Sequence, residues 1–223
     1  MRQRTLTTFL LVGFLVLNAG TSVRAEEPKI LIDKATATVN AILGDSNYAI
    51  AKKYLARAKG VLVIPGLVKA GFIIGGEAGE GALLSRNDKG KWSGPAFYLL
   101  VAGSIGWQIG VESKEMVLIV MTEKGLNSLM SNQIKIGADV SVTAGTIGGG
   151  AAASTVGSVG ADFIAFSKSK GLFGGGALDG ALIKTVPDSN ESYYGTAASP
   201  KQILIERKFD NPHADTLRQA LSQ

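Results

Sequence analysis

The sequence predicts an α+β fold: an N-terminal helical hairpin, then a glycine-rich, curved and mostly antiparallel sheet or barrel, and short C-terminal helices. Three observations support this. Apolar residues recur at three- and four-residue spacing across residues 29–59, which indicates amphipathic helix. After Gly60, short β-branched runs alternate with turn-like stretches, which indicates strands. Finally, the chain has 29 glycines among 223 residues, many of them inside those runs.

The first 25 residues have the features of a secretory signal peptide. Arg2 and Arg4 form a basic start, and Phe9–Leu17 is an apolar core too short to span a bilayer, which takes about 20 residues. Small residues precede Glu26, so we expect cleavage near Ala25 and an exported chain, periplasmic or secreted. An uncleaved anchor is the alternative. Residues 26–223 are then expected to form a single domain.

Charge and cysteine content exclude several classes of protein. The net charge is +5, but the leader holds three arginines and no acid, so residues 26–223 carry only +2. Such a weak charge does not favour a nucleic-acid binder, which needs a dense basic patch. The chain has no cysteine, which removes disulfides, thiolate metal sites and lipid attachment through an N-terminal cysteine.

The helical segments can be placed by their starts and stops. Pro28 suits the first position of a helix that ends at Gly44, and Asp45 or Ser46 can cap a second helix that stops at Gly60. Short helices are also predicted at 122–130, where Thr122 can serve as the cap, after Ser199-Pro200, and over 212–221.

Strands are predicted for the apolar runs between these helices, the first being residues 61–65, closed by Pro65-Gly66. Glycine weakens a strand unless it permits a bend, a bulge or the close approach of another backbone, so we predict a strongly curved sheet. A phosphate-binding loop is the less favoured alternative, since no GK[ST] follows any glycine run. The glycines assigned this structural role are Gly75, Gly76, Gly103, Gly106, Gly171 and Gly174.

Six motifs stand in the order seen in the SYLF domain, and the chain resembles that family over about residues 30–208. The motifs are GFIIGGEAGEGALL at 71–84, WSGPAF at 92–97, GSIGWQIG at 103–110, GAD at 137–139, SKGLFGGGALDG at 169–180 and YYG at 193–195. The resemblance implies membrane-lipid binding, with phosphoinositides and actin filaments as ligands of some eukaryotic members. An exported bacterial member would meet neither of those two ligands. Gly149 also stands where many members carry an arginine, so any head-group contact of that arginine is lost.

A basic group on the second predicted helix is the candidate lipid head-group site: Lys52, Lys53, Arg57 and Lys59. A basic helix face opposite apolar residues is how a protein lies on an anionic membrane. The alternative is an ordinary solvated helix face. The resemblance favours lipid contact, because eukaryotic members use a basic N-terminal helical segment for it.

Large aromatic residues offer a second way to bind lipid. Trp92, Phe97 and Trp107 are candidates for an apolar pocket, and core packing is the alternative, because large aromatics dominate cores. The uncharged stretch 140–161 is predicted to be a hairpin with a small-residue loop, the alternative being a loop that inserts into lipid.

Nothing in the sequence indicates catalysis, a cofactor or a metal. His213 is the only histidine, and no GxSxG nucleophile motif occurs. Carboxylates in apolar or glycine-rich surroundings are expected to pair with lysines such as Lys168 and Lys170; these are Glu77, Glu80, Asp139, Asp162 and Asp179. We therefore predict a non-enzymatic protein that binds membrane phospholipid, the alternative being an exported scaffold that binds other proteins.

Overall fold

A computed structural model describes residues 26–71, 74–105, 112–145, 160–168 and 178–223. The helices are α1 (Pro28–Leu43), α2 (Ala49–Leu55), α3 (Glu123–Ser128), α4 (Pro187–Tyr194), α5 (Pro200–Leu204) and α6 (Asp215–Ala220). The strands are β1 (Gly60–Gly71), β2 (Ile74–Ser85), β3 (Ala96–Ile105), β4 (Glu112–Val120), β5 (Gln133–Lys135), β6 (Val142–Ala144), β7 (Phe163–Lys168) and β8 (Leu182–Thr185). The predicted α+β class is confirmed.

The two N-terminal helices form where their caps predict. Pro28 begins α1, which buries one apolar stripe that includes Leu31, Ile32 and Val39. Asp45 accepts a hydrogen bond from the Asn47 amide at 2.9 Å and starts a short 3-10 turn ahead of α2. However, α2 ends at Leu55 rather than at Gly60, so only the first two of the four basic candidates lie on it.

The eight strands form one curled sheet that resembles half of a barrel, in the order β5-β8-β3-β2-β1-β4-β7-β6. All pairs are antiparallel except β6 with β7, so the prediction of a mostly antiparallel sheet is confirmed. The hairpin predicted for residues 140–161 lies mostly outside the described residues, and the strands β6 and β7 on either side of them pair in parallel.

Both faces of the sheet are covered. On one face α1, α2 and α6 pack on alternate residues of the central strands, such as Val61, Val63 and Val117. On the other, α3 and α5 pack with side chains around β5 and β8 against the intervening residues, such as Leu62 and Leu118. Because each face has its own apolar cluster, the central strands are apolar on both sides and carry no simple alternation.

Strand β1 does not stop at Pro65-Gly66, contrary to the prediction, but continues to Gly71. Its pairing with both neighbours shifts by one residue at this point, which is a β-bulge. Proline lacks the amide that a regular ladder needs, and a bulge is where a central strand tolerates it. We call the residues 64–67, with the facing Gly79 and Gly81 of β2, the β1 bulge.

At the bulge, the backbones of β1 and β2 approach closely at two glycines that were not among those predicted, Gly79 and Gly81. A Cβ atom on Gly79 would lie 2.6 Å from the carbonyl oxygen of Gly66, and one on Gly81 would lie 2.7 Å from that of Val63. By contrast, a Cβ on Gly76 would have an ordinary 3.8 Å contact, and one on Gly103 would meet nothing within 4 Å. Close approach therefore does not explain those two, and their role in bending the strands stays a prediction.

Most of the later helices also follow their predicted signals. Thr122 caps α3 through the Gly125 amide, and Ser199 forms a capping box with Gln202 at the start of α5. The closing segment is a 3-10 turn followed by α6. Helix α4 was missed, because its sequence is largely polar. Within the described residues, no helix has both the length and the apolar character that crossing a membrane requires.

Candidate functional site

Three of the four basic candidates are exposed around the end of α2. Lys52 and Lys53 lie in its last turn, where cations also interact favourably with the helix dipole. Arg57 lies in the following turn, with its guanidinium 5.9 Å from the centre of the Tyr54 ring. We call Lys52, Lys53 and Arg57 the basic surface.

Lys59 differs from the other three because it already has an acidic partner. Its ammonium lies 2.8 Å from the Glu123 carboxylate at the start of α3. This hydrogen bond, together with the charge of Glu123, raises the pKa of Lys59 above its ordinary value. The residue is therefore less available to an external anion than the basic surface is.

A cleft of about 250 Å³ adjoins the basic surface, between the turn after α2 and the turn at residues 86–90. Arg57, Lys59 and Arg86 contribute positive charge to it, and Asp88 contributes the opposing charge. Cations that converge on a concave site suit a phosphate or carboxylate group.

Arg86 holds this cleft together, and sequence reasoning missed it. Its guanidinium donates to the carbonyl oxygens of Leu55 and Ala56 at 3.3 and 2.8 Å, and lies 5.6 Å from the centre of the Trp92 ring. It thereby satisfies carbonyls at the end of α2 and fixes the two turns relative to each other. The signal in the sequence was an arginine at the end of a strand, followed by a polar turn and a tryptophan.

Phe97 and Trp92, the two aromatic candidates among the described residues, lie in different surroundings. Phe97 is 1% exposed and packs edge-on against Tyr193 in the core, with ring centres 5.2 Å apart. Trp92 is also largely buried, but it lines a cleft of about 590 Å³. The other walls of that cleft include the charged residues Lys91, Arg207, Asp210, Asp215 and Arg218. Trp107 lies outside the described residues, as do Gly106, Gly171 and Gly174.

Arg218 joins the walls of this larger cleft. It donates to the carbonyl oxygen of Ser93 at 3.1 Å and forms ion pairs with Asp210 and Asp215. Burial by itself lowers the pKa of Arg218, but the two carboxylates outweigh it and raise the pKa. This network ties the C-terminal helix to the segment that precedes β3 and leaves little net charge there.

Two of the five carboxylates expected to pair with lysines do so. Glu77 pairs with Lys114 of β4 at 3.1 Å, and Asp162 pairs with Lys124 of α3 at 3.2 Å. The expectation of ion pairs is therefore confirmed for these two, whereas the proposed Lys168 is not their partner.

Asp162 organises a junction of three segments. Thr122 donates to one carboxylate oxygen at 2.6 Å, and the amide and hydroxyl of Ser141 donate to the other at 3.0 and 3.1 Å. Burial alone would raise the pKa of Asp162, but these hydrogen bonds and that from Lys124 lower it to about 2. We call Asp162 with these three partners the Asp162 junction.

The described residues hold no group of three or more histidines, cysteines or carboxylates arranged to bind a metal ion. His213 contacts Asp33 at 3.1 Å and the Lys29 carbonyl oxygen at 3.2 Å. These contacts tie the C-terminal segment to α1, and they give His213 a structural role.

Comparison with known proteins identifies one family and several relatives. The profile of the family described as Ysc84, Las17-binding protein actin regulator, matches residues 101–223. Protein YSC84 of Saccharomyces cerevisiae is 37% identical over 171 residues, which cover 75% of this chain and 36% of the yeast protein. LAS seventeen-binding protein 3 of the same species is 35% identical over 185 residues, 82% of this chain and 40% of its own length.

A human protein, SH3 domain-containing YSC84-like protein 1, is 26% identical over 141 residues, which cover 63% of this chain and 41% of that protein. The chain thus spans about two fifths of the length of the curated relatives that it matches. The similarity therefore concerns one part of each relative.

Proposed function

The chain belongs to the Ysc84 family, the SYLF-domain family that its motifs resemble, and on that premise we propose that it binds anionic membrane lipid without catalysing a reaction. The contact is made by the basic surface of Lys52, Lys53 and Arg57, with the adjoining cleft accepting the head-group phosphate. The observation that carries this proposal is the exposure of these three cations beside a cleft whose lining includes Arg57 and Arg86.

The expected binding is weak and electrostatic. Each cation near an anionic membrane contributes on the order of 1 kcal/mol, so three contribute roughly 3 kcal/mol, or about a hundredfold in affinity. Residues 26–223 carry a net charge of only +2, so attraction of the whole molecule adds little. Because exposed charges are screened beyond about 8 Å at physiological ionic strength, binding should fall steeply with added salt.

We also propose that the protein acts in the cell envelope after export. The basic start, the short apolar core and the small residues before Glu26 support this. N-terminal sequencing of the protein from its native host tests it: a chain that begins at or near Glu26 is expected, and a retained leader would indicate an anchored protein.

A protein-interaction role is the second candidate, and the relatives favour it. The family description and the name of one yeast relative refer to binding of Las17. An acidic partner protein would use the same exposed cations as an anionic lipid does. The two candidates therefore differ in the ligand rather than in the surface.

Vesicle sedimentation separates the candidates. The chain from Glu26 is mixed with vesicles of neutral phospholipid and with vesicles that contain an anionic phospholipid, at low and high salt. We expect binding only to the anionic vesicles, at least tenfold weaker at high salt. The Lys52/Lys53/Arg57→Glu variant should lose this binding while keeping the circular dichroism spectrum of the parent.

A variant with the same change in net charge elsewhere is the control. Lys29, Lys135 and Lys201 are exposed and lie outside the basic surface, so their replacement by glutamate should leave most of the binding intact. Equal loss in both variants would mean that net charge alone matters. Failure of the folded parent to bind any vesicle would favour the protein-interaction role.

A further inference from the structure

The main-chain nitrogen of Glu26 lies against a carboxylate of the sheet. It donates a hydrogen bond to Oε2 of Glu80 at 3.2 Å. Glu26 is also the residue that the signal-peptide pattern places immediately after the cleavage point. The two observations are independent, because one comes from residues 1–25 and the other from the packing of α1 on β2.

The position of this nitrogen is set by structure on both sides. Pro28 is the first residue of α1 and Glu27 is its N-cap, so only one residue separates Glu26 from the helix. Glu80 lies between Gly79 and Gly81, opposite the β1 bulge. A chain that began one residue earlier or later would place its terminal nitrogen about one residue, or about 3.8 Å, away from this position, too far for a hydrogen bond to Glu80.

Among the described residues, Glu80 has no ion-pair partner in the cleft that surrounds it. The cleft at this point has a volume of about 430 Å³ and lies between α1 and strands β1, β2 and β4. Its charged residues are Glu26 and Lys34 of the N-terminal segment, Glu80 and Glu115. Lys34 pairs with Glu26 at 2.5 Å, and among the described residues neither Glu80 nor Glu115 has a cation within 4.0 Å.

The raised pKa of Glu80 agrees with the absence of a cation beside its carboxylate. Burial raises the pKa of its carboxyl, and the hydrogen bond from the Glu26 amide lowers it only in part. An added positive charge at the amide position would stabilise the ionised carboxylate further. The cleft would still carry more negative than positive charge.

We propose that cleavage of the leader between Ala25 and Glu26 creates the cation that Glu80 lacks, so that the new N-terminus becomes part of the fold. Hydrolysis of that peptide bond consumes one water and leaves a carboxylate on Ala25 and an ammonium on Glu26. The amide nitrogen that already contacts Glu80 thereby becomes the α-ammonium of an ion pair. This inference rests on the proposed export and adds a structural consequence of processing.

The ion pair makes stability depend on pH in a defined direction. An α-amino group ordinarily has a pKa of about 7.7–8.0, and Glu80 and Glu115 should raise it while Lys34 opposes them. A raised pKa stabilises the fold below the ordinary value, and this contribution is lost as the pH rises through the raised value.

The experiment compares three chain ends. One protein begins at Glu26, a second begins at Ala25, and a third begins at Glu26 with an acetylated N-terminus. The second keeps the amide donor to Glu80 and moves the charge one residue away, and the third removes the charge. At pH 6.5 the first protein should have a melting temperature about 2–4 °C above the other two. This is the shift that a single ion pair of moderate strength produces in a domain of this size.

The same three ends are then built on Glu80→Gln and, as the control from the same cleft, on Glu115→Gln. The advantage of the Glu26 end should disappear in Glu80→Gln and persist in Glu115→Gln. It should also fade between pH 7 and pH 10 in the parent. An advantage that is absent in the parent, or unchanged in Glu80→Gln, overturns the ion pair.

Sequencing of the native N-terminus separates this inference from the proposed export. If the native chain begins at Glu26 but the melting difference is absent, export stands and the ion pair fails. If the native chain begins elsewhere, both the processing proposal and its structural consequence fail, whatever the engineered ends show. Neither result affects the vesicle-binding test of the basic surface.

Discussion

The β1 bulge and the Asp162 junction each bring three segments of the chain together, and they do so by opposite means. At the bulge, β1 crosses irregularly between β2 and β4, and the space it needs exists because Gly79 and Gly81 have no side chain. At the junction, the carboxylate of Asp162 accepts hydrogen bonds from two other segments: from Thr122 and Lys124 at the start of α3, and from Ser141 before β6.

The difference shows that irregular backbone can be stabilised either by steric fit or by polar contacts. The first is sensitive to added side-chain atoms, and the second to the loss of a charge or a hydrogen-bond acceptor. The contacts at the bulge involve carbonyl oxygens that cannot move without distorting two ladders, and no titratable group takes part in them. The junction tolerates small shifts but depends on the charge of one side chain. Substitutions and pH should therefore separate the two regions.

Removal of the Asp162 side chain should have the largest effect. Asp162→Ala leaves the Ser141 amide and the Thr122 hydroxyl without their acceptor at a partly buried site, which costs about 1–3 kcal/mol for each such group. We expect the free energy of unfolding to fall by about 3 kcal/mol, measured by urea denaturation.

Lys124→Ala is the matched control for that measurement. The Lys124 side chain is 66% exposed, so its ion pair should contribute less than about 1 kcal/mol. Equal losses in the two variants would show that the ion pair, rather than the set of hydrogen bonds, holds the junction.

Filling the bulge should have the next largest effect. Gly81→Val places side-chain atoms against the Val63 carbonyl oxygen, Leu62 and Ile64, and overpacking of this kind costs about 1–3 kcal/mol. We expect a loss near the upper limit in urea denaturation at neutral pH. A variant as stable as the parent would contradict the steric account of the bulge.

Acid should weaken the junction. The pKa of Asp162 is lowered from 3.8 to about 2, so its contribution is present at neutral pH and is lost as the pH falls from 3.8 towards 2. The stability difference between the parent and Asp162→Asn should shrink across this range. A constant difference would mean that the carboxylate is not bound more tightly than in the unfolded chain.

The smallest change in stability is expected at Gly103, which is a strand glycine like those of the bulge but has open space where their neighbours are close. A Cβ there meets nothing within 4 Å, and its φ angle is not positive, so alanine fits without strain. Gly103→Ala should raise the free energy of unfolding by about 0.5 kcal/mol through the unfolded chain. A loss above about 1 kcal/mol would restore the prediction that this glycine is structurally required.

The sequence by itself determined the features that depend on neighbouring residues. Pro28, Asp45, Thr122 and Ser199 start helices or turns where expected, because a cap acts on amides two or three residues away. The change from helical to strand patterns after Gly60 gave the fold class. The motifs indicated the family, since they preserve the order of residues along the chain.

Only the tertiary structure decided which residues meet. Gly76 and Gly79 look alike in sequence, but only Gly79 faces a bulge, because strand register determines what lies opposite each residue. Long-range packing also makes Lys114, rather than Lys168, the partner of Glu77, and it places β6 parallel to β7. The contact of the Glu26 nitrogen with Glu80 spans 54 residues, and no local pattern encodes a distance that long-range packing sets.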